Sequence, residues 1–514
     1  MRRYKFTGRG NETYRTIAQR ELGISGRRLA WECQPTICPH QVVDTLEQLT
    51  PGRTAKECAE RGTMLVRLGL VDEAMRQFDR GVALEPDNPL AHSFLVIGND
   101  YRRATPAQRI RELKAFATEF VHGEVRFTDL HTNDQDPTRT LRVGYLSGDF
   151  FRHSAFNTWF PLLRDHDRAQ VHVVGYYTGA IVDDYTWRAR EACSEWREVA
   201  TLDDEQLADL IRGDRIDILV DLSCHTAGHR LSAFARKPAP VQLTGFGFVE
   251  GNGLAALDYV WADEILLSSA ERAPIGKPFA RIPSAFWYEA PADCPTQSAL
   301  PAAWGNPFTF GCFNKVDKIT DEVLGLWREI LELTPGSRLL LKDAWYDDDL
   351  VRRRLADRLT GLGFNLARVE LYGASPHREH MECFDEVDLA LDPFPHGGGT
   401  STAEALWMGV PVVTLHGQAP PGRMGTAILA RSGLSAFIAE SKGDYLLLAA
   451  AIASEPGILG ELRQSMRARL ARSPVFNPKE LVIPEIENAY RAMWQDWCSR
   501  RARAPIYQRQ ERRS

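Results

Sequence analysis

The chain has 514 residues, 44% of them hydrophobic and 25% charged, which is ordinary for a globular protein and enough for about three compact domains. A net charge of -6 excludes bulk attraction to nucleic acid or to an anionic membrane, although residues 499–514 are rich in arginine. No apolar run of membrane-spanning or secretory length occurs, and nine cysteines without framework spacing fit reduced thiols, so a cytoplasmic protein is expected.

Taken in chain order, residues 1–50 carry no readable pattern, and Cys33, Cys38 and His40 lack the second ligand pair that a zinc site needs. Residues 51–136 form a helical region. Within it, 55–88 reads as two amphipathic helices: apolar positions at Cys58, Leu65 and Leu68, a turn at 69–72, then Ala74, Phe78 and Val82 before Pro86. Gly62, Ala74, Phe78 and Pro86 fall where a tetratricopeptide repeat of about 34 residues places its close-contact glycine, small residue, aromatic and terminating proline. One such unit cannot bury both faces alone, so it should dock on a neighbour, which the helical stretch 89–120 can supply. Residues 124–140 are polar and read as a linker.

From Leu141 the period changes to short β-branched runs alternating with helical stretches, the pattern of a parallel sheet covered on both faces. Strands are predicted at 141–147, 171–177, 216–222, 241–245 and 259–262; after a Pro- and Ala-rich interruption at 288–306 they resume at 308–313, 338–342, 369–372, 389–391 and 411–415. The fold class is therefore α/β: two Rossmann-like lobes, 141–290 and 305–480, after a short tetratricopeptide-like region, with a helix and basic tail at 481–514. Open α/β sheets place ligands beyond the carboxyl ends of their strands, so function is sought in those loops.

After the strand 389–391 comes Asp392-Pro393-Phe394-Pro395-His396-Gly397-Gly398-Gly399-Thr400-Ser401-Thr402-Ala403-Glu404. Gly398 and Gly399 allow close backbone approach, Thr400 and Ser401 add hydroxyls, and the helix they open presents free N–H groups, which together can cradle a diphosphate. The same residues also describe a flexible strand-to-helix turn. The loop lacks the Lys-Ser/Thr ending of a P-loop and the GxGxxG spacing of a dinucleotide fold, which disfavours phosphoryl and hydride transfer. Glu404, one turn into the helix, can accept hydrogen bonds from a ribose or simply be a first-turn acid.

Lys315 and Lys318 follow the first strand of the second lobe, where a lysine can meet the negative charge of a departing diphosphate; most loop lysines are merely solvated. In the first lobe Asp149 and His153 follow one strand, and Asp221 and His225 follow another. A single histidine in such a loop is ordinarily a local hydrogen-bonder, but the convergence of two on one cleft points to orienting or deprotonating an acceptor hydroxyl.

These motifs together resemble the protein O-GlcNAc transferase and SPINDLY family of inverting transferases, which join tetratricopeptide repeats to a two-lobed GT-B catalytic region. The resemblance runs from about residue 55 to 494, carried by residues 141–153, 221–228, 237–242, 313–320 and 397–414. It implies a donor on the second lobe and an acceptor on the first. By position, His153 matches a histidine beside the acceptor and the anomeric carbon, Lys318 the lysine on the donor diphosphate, Thr400 and Ser401 two threonines contacting it, Glu404 an acid on the ribose, and His380 a histidine against the nucleotide. Lys315 stands where the O-GlcNAc enzymes have glutamine, His377 where they have lysine, Cys383 near an arginine and Gly399 in place of a histidine. SPINDLY proteins use GDP-fucose, so the base stays open, with a UDP-sugar favoured. On the acceptor side, the stretch 245–251 departs from the family's loop, with Phe248 and a charged Glu250 as candidates for acceptor contact.

The implied reaction is a metal-independent, inverting transfer of a sugar, GlcNAc first, to Ser or Thr of a protein or peptide. It needs no cofactor beyond the nucleotide-sugar. Lys318, Lys315 and the helix start would stabilise the leaving diphosphate, and His153, with Asp221 and His225 behind it, would orient or deprotonate the acceptor. An asparagine-linked glucosyltransferase or a small-molecule or glycan transferase of the same fold is the nearest alternative, and a non-catalytic repeat-containing interaction protein is the alternative of another class. No nucleic-acid or membrane partner is expected, and the sequence does not set the oligomeric state.

Overall fold

A computed structural model describes residues 3–5, 52–102, 104–121, 127, 131–153, 155–226, 228–245 and 249–502. Cys33, Cys38, His40 and Phe248 lie outside the described residues.

The helical region comprises α1 (Ala55–Arg67), α2 (Val71–Leu84), α3 (Pro89–Gly98) and α4 (Pro106–Val121). Thr54 caps α1 by accepting from Glu57 N, and Asn88 caps α3 ahead of a proline at its first position. Gly62 lets α1 and α2 close, since a Cβ there would stand 2.3 Å from the Phe78 ring. This is the glycine–aromatic contact the repeat pattern requires. The pair docks on α3, where Phe78 stacks on Phe94 at 6.0 Å, but also on the second lobe. Met64, Leu65, Leu68, Met75 and Phe78 share one core with Val323, Trp327, Leu350 and Leu355, and Leu68 O accepts from Arg354 Nε at 3.2 Å. α3 and α4 instead lie on the first lobe: Val96 and Leu113 cover Cys224, and Phe116 joins Leu231, Phe234 and Leu254. The region thus touches both lobes.

The first lobe is a seven-stranded parallel sheet built from β2 (Leu141–Ser147), β3 (Val171–Tyr177), β4 (Glu195–Glu198), β5 (Ile218–Asp221), β6 (Val241–Thr244), β7 (Tyr259–Ala262) and β8 (Phe279–Arg281) in the order β4-β3-β2-β5-β6-β7-β8. The second contains β9 (Thr309–Cys312), β10 (Arg338–Lys342), β11 (Val369–Tyr372), β12 (Leu389–Leu391), β13 (Val412–Leu415) and β14 (Ile438–Ala439), ordered β11-β10-β9-β12-β13-β14 and parallel throughout. Its other edge is an addition the sequence did not suggest: β1 (Arg3–Lys5), from the stretch that carried no readable pattern, pairs antiparallel with β11.

In each sheet the strand order, not the strand direction, reverses beside the first strand of the lobe: successive strands are added outward on one side of β2 and of β9, and the chain then crosses to the other side at β5 and at β12. Loops leaving those strands diverge and leave a crevice, the usual ligand position in open α/β sheets. The C-terminal helix Ile483–Ala502 returns to the first lobe, burying Ile486, Tyr490, Met493 and Trp494 against Leu141, Tyr145, Leu163 and Trp261. Tyr490 bonds the Tyr145 hydroxyl at 2.9 Å, and Glu487 bonds His166 Nδ1 at 2.9 Å.

Candidate active site

β12 ends at Leu391, and Asp392, the next residue, organises the loop that leads to the helix Thr400–Trp407. Its Oδ1 accepts from Gly398 N at 2.6 Å and its Oδ2 from Thr414 Oγ1 at 2.7 Å, which folds the loop back over the sheet end. Gly398 must lack a side chain, because a Cβ would lie 2.5 Å from Thr402 Oγ1 and 2.9 Å from Asp392 Oδ1. Gly399 occupies the cap position of the helix. Ser401 Oγ donates to Asn314 Oδ1 at 2.8 Å, and Thr402 Oγ1 is buried without a hydrogen-bond partner. Free N–H groups and hydroxyls therefore gather at the positive end of a helix dipole, the arrangement that receives phosphate.

The loop after β9 supplies the cations. Val316 N donates to Asp343 Oδ2 at 2.5 Å, and the turn Val316–Lys318 brings Lys318 Nζ to within 2.7 Å of Gly397 O. Burial pulls the lysine down to about 8, which Asp392 opposes and Lys315 reinforces. Burial likewise raises Asp392 to about 6, against its hydrogen bonds and Lys318. Lys318 is thus a cation at neutral pH, anchored at the mouth of the glycine loop. Lys315, earlier in the same loop, is exposed beside it.

One helical turn beyond the loop, Glu404 lies between His377 Nε2 at 3.4 Å and His380 Nε2 at 3.3 Å, both on the helix that follows β11. Burial alone would raise this carboxyl, but the two imidazoles prevail and hold it at about 2; the hydrogen bond to Glu404 raises His377 in return. Phe313 packs edge-on to His380 at 5.6 Å. An ionised acid beside flat rings suits a ribose and its base.

Across the cleft, Gly148 N donates to Ser223 Oγ and Asp149 N to Ser147 Oγ, turning the chain after β2 so that His153 lies near both Asp149 and Lys315. Desolvation lowers His153, Asp149 opposes this and Lys315 adds to it; desolvation raises Asp149. Ala155 N donates to His153 Nδ1 at 3.3 Å. In the neutral ring that leaves the proton on Nε2, so the free nitrogen of His153 is a hydrogen-bond donor.

The structure brings His153, Asp149, Lys315, Lys318, His377, His380, Gly398, Gly399, Thr400, Ser401 and Glu404 to the strand ends of one cleft. Three other expectations need correction. Asp221 is buried and accepts from Ser223 N, Cys224 N, Thr244 Oγ1 and Asn252 Nδ2, so it shapes the loop rather than backing His153. His225 is buried under α3, bonded to Ser93 Oγ at 3.2 Å and packed on Phe116; burial first, then His229, pushes it down to about 3. Glu250 presents no charge to an acceptor, because it is buried and receives Arg109 Nε at 2.6 Å. Asp392 and Asn314, present in the motifs without a role, are the residues sequence reasoning passed over; their position shortly after a strand was the available signal.

The sequence profile of glycosyl transferase family 41 matches residues 86–288 and 297–483. The chain is 35% identical over 389 residues to a probable UDP-N-acetylglucosamine–peptide N-acetylglucosaminyltransferase, SPINDLY, of Arabidopsis thaliana, covering 73% of this chain and 42% of that protein. It is 26% identical to the Arabidopsis thaliana protein SEC, named for the same activity, over 70% of this chain and 38% of that one. The chain therefore spans well under half the length of these relatives. Among solved structures, an O-GlcNAc transferase mutant of Thermobaculum terrenum superposes with a TM-score of 0.81 at 33% identity, covering 90% of this chain and 88% of that one.

Proposed function

The chain belongs to glycosyl transferase family 41, and from that premise we propose that it transfers GlcNAc from UDP-GlcNAc to a Ser or Thr hydroxyl of a protein or peptide. The observation that carries this reading is the placement of Lys318 Nζ on Gly397 O, beside the helix start at Thr400, with Lys315 of the same loop acting on His153. The activities for which the relatives are named supply the sugar and the class of acceptor.

In this mechanism the acceptor oxygen attacks the anomeric carbon from the His153 side. The bond from that carbon to the diphosphate oxygen breaks, the electron pair leaves with UDP, the configuration inverts, and the hydroxyl proton is released to solvent in the overall balance. Lys318, Lys315 and the N–H groups of the helix Thr400–Trp407 meet the leaving charge, a contribution of roughly 3–4 kcal/mol for one well-placed donor. Glu404, His377 and His380 hold the nucleoside. No part is assigned to a metal.

The interaction-protein reading would need the repeat helices free for a partner. Instead, Met64, Leu65, Leu68, Met75 and Phe78 are committed to the second lobe. A cytoplasmic setting belongs to the same proposal: the described cysteines are free thiols, as a reducing compartment maintains, and no single helix among the described residues is long and apolar enough to cross a membrane.

The test is thermal stabilisation by UDP, GDP, UDP-GlcNAc, UDP-glucose and GDP-fucose in the presence of a chelator, followed by mass analysis of a peptide acceptor. Stabilisation by UDP and a peptide mass gain of one N-acetylhexosamine on Ser or Thr is expected. Stabilisation by GDP-fucose alone would replace the donor, and no response in a folded sample would remove the transferase reading.

A further inference from the structure

At the start of the glycine loop stand two side chains that the mechanism has not used. His396 immediately precedes Gly397, whose carbonyl holds Lys318. Tyr101 comes from the turn between α3 and α4, and its ring meets the His396 ring at 5.9 Å. We propose that Tyr101 and His396 together face the donor sugar and select among UDP-sugars. This rests on the donor-site reading above and adds the helical region to the residues that choose the substrate.

Three observations carry it. First, His396 Nδ1 is buried and has no hydrogen-bond partner, which native interiors rarely tolerate and which a ligand hydroxyl or amide would relieve. Second, burial and the charges of Lys318, Arg109 and Lys315 keep the imidazole neutral, so the ring offers one donor and one acceptor, the pairing a sugar hydroxyl can satisfy. Third, the position along the cleft is fixed by neighbours. Glu404 pairs with His377 and His380 at the nucleoside end, whereas His396 shares the field of Lys315 with His153, the acceptor-side histidine. Between the two imidazoles, beyond the diphosphate, is the place of the transferred sugar.

The turn bearing Tyr101 is held firmly. Arg109 on α4 reaches Asp100 Oδ1 at 2.7 Å and Glu250 Oε1 at 2.6 Å, locking the turn to the first lobe while the Tyr101 ring rests on the second. An aromatic wall fixed to one lobe and a polar ring on the other give a rigid aperture, which is what discrimination between similar sugars requires.

The full chain and its His396→Phe and Tyr101→Ala variants are compared in two measurements: thermal stabilisation by UDP, and the ratio of kcat/KM for UDP-GlcNAc to that for UDP-glucose. Unchanged stabilisation by UDP with a ratio altered at least tenfold in each variant is expected. A ratio within twofold of the wild-type value, with UDP binding intact, overturns the assignment of that residue. Where His396→Phe does not fold, His396→Asn takes its place and is judged by the same criterion. A wild-type chain that is folded yet neither stabilised by UDP nor active with any UDP-sugar overturns the donor-site reading and this inference with it.

Discussion

Lys318 carries a charge that its surroundings resist, and this makes its titration visible in the rate. Below about pH 8 the ammonium is present; as pH rises through about 8 it is lost, so kcat/KM falls on the alkaline side. As pH falls through about 6, Asp392 takes up a proton and Lys318 loses its counter-charge, so a second fall appears on the acid side. A pH–rate profile checks both limbs, and Lys318→Arg, its guanidinium still charged on the alkaline side, should show the acid limb alone. Lys318→Ala should lower kcat by about 10² to 10³ with a smaller change in donor KM, by the usual worth of one donor at a developing charge. Glu404 titrates in the opposite sense. Its folded pKa of about 2 lies below the ordinary 4.5, so its contribution to stability is full above pH 4.5 and lost as pH falls towards 2. His377, raised above 6.5, contributes fully below that value and loses its contribution as pH rises through its folded pKa. The difference in melting temperature between wild type and Glu404→Gln should therefore be largest between pH 4.5 and 6.5 and narrow as pH falls towards 2.

At the scale of elements, the glycine loop and the α3–α4 turn bear opposite relations to the sequence. Gly398→Ala is expected to abolish UDP binding while leaving the far-UV circular dichroism unchanged, because its methyl would push into Thr402 and Asp392 without entering any core. The glycines, the hydroxyls after them and Glu404 were legible because they are contiguous and follow a strand. Glu250 was misread for the converse reason: its partner Arg109 lies far upstream, and no local pattern shows that the two will meet inside the protein. Arg109→Ala should cost about 3–5 kcal/mol by leaving Glu250 and Asp100 as buried acids without a cation, which urea denaturation would measure. The strands followed the same division. β2, β3, β10 and β11 were read to the residue from β-branched and leucine-rich runs, whereas β4 is Glu195-Trp196-Arg197-Glu198, a charged edge strand with no apolar run to give it away. β1 forms only because β11 offers a free edge, which is a tertiary fact.

At the scale of the molecule, both lobes are tied by parts of the chain that lie outside them in sequence: α1 and α2 on the second, α3, α4 and the C-terminal helix on the first. The sequence places two Rossmann-like lobes at 141–290 and 305–480 and a helix with a basic tail at 481–514, without assigning that helix to either lobe. The helix Ile483–Ala502 buries Trp494 completely in the first lobe. Removing residues 483–514 should therefore destabilise the first lobe rather than trim a tail, seen as loss of the cooperative melt of β2 and β3 by hydrogen exchange with the second lobe's protection retained. The same arrangement sets an order of events at the ribosome. Synthesis runs from the amino end, so Leu141, Tyr145 and Trp261 emerge long before Ile486, Tyr490 and Trp494, which complete their core. The first lobe is completed only after the second has been made, and until the helix Ile483–Ala502 emerges its nascent sheet presents an uncovered apolar face, a surface on which a chaperone can act.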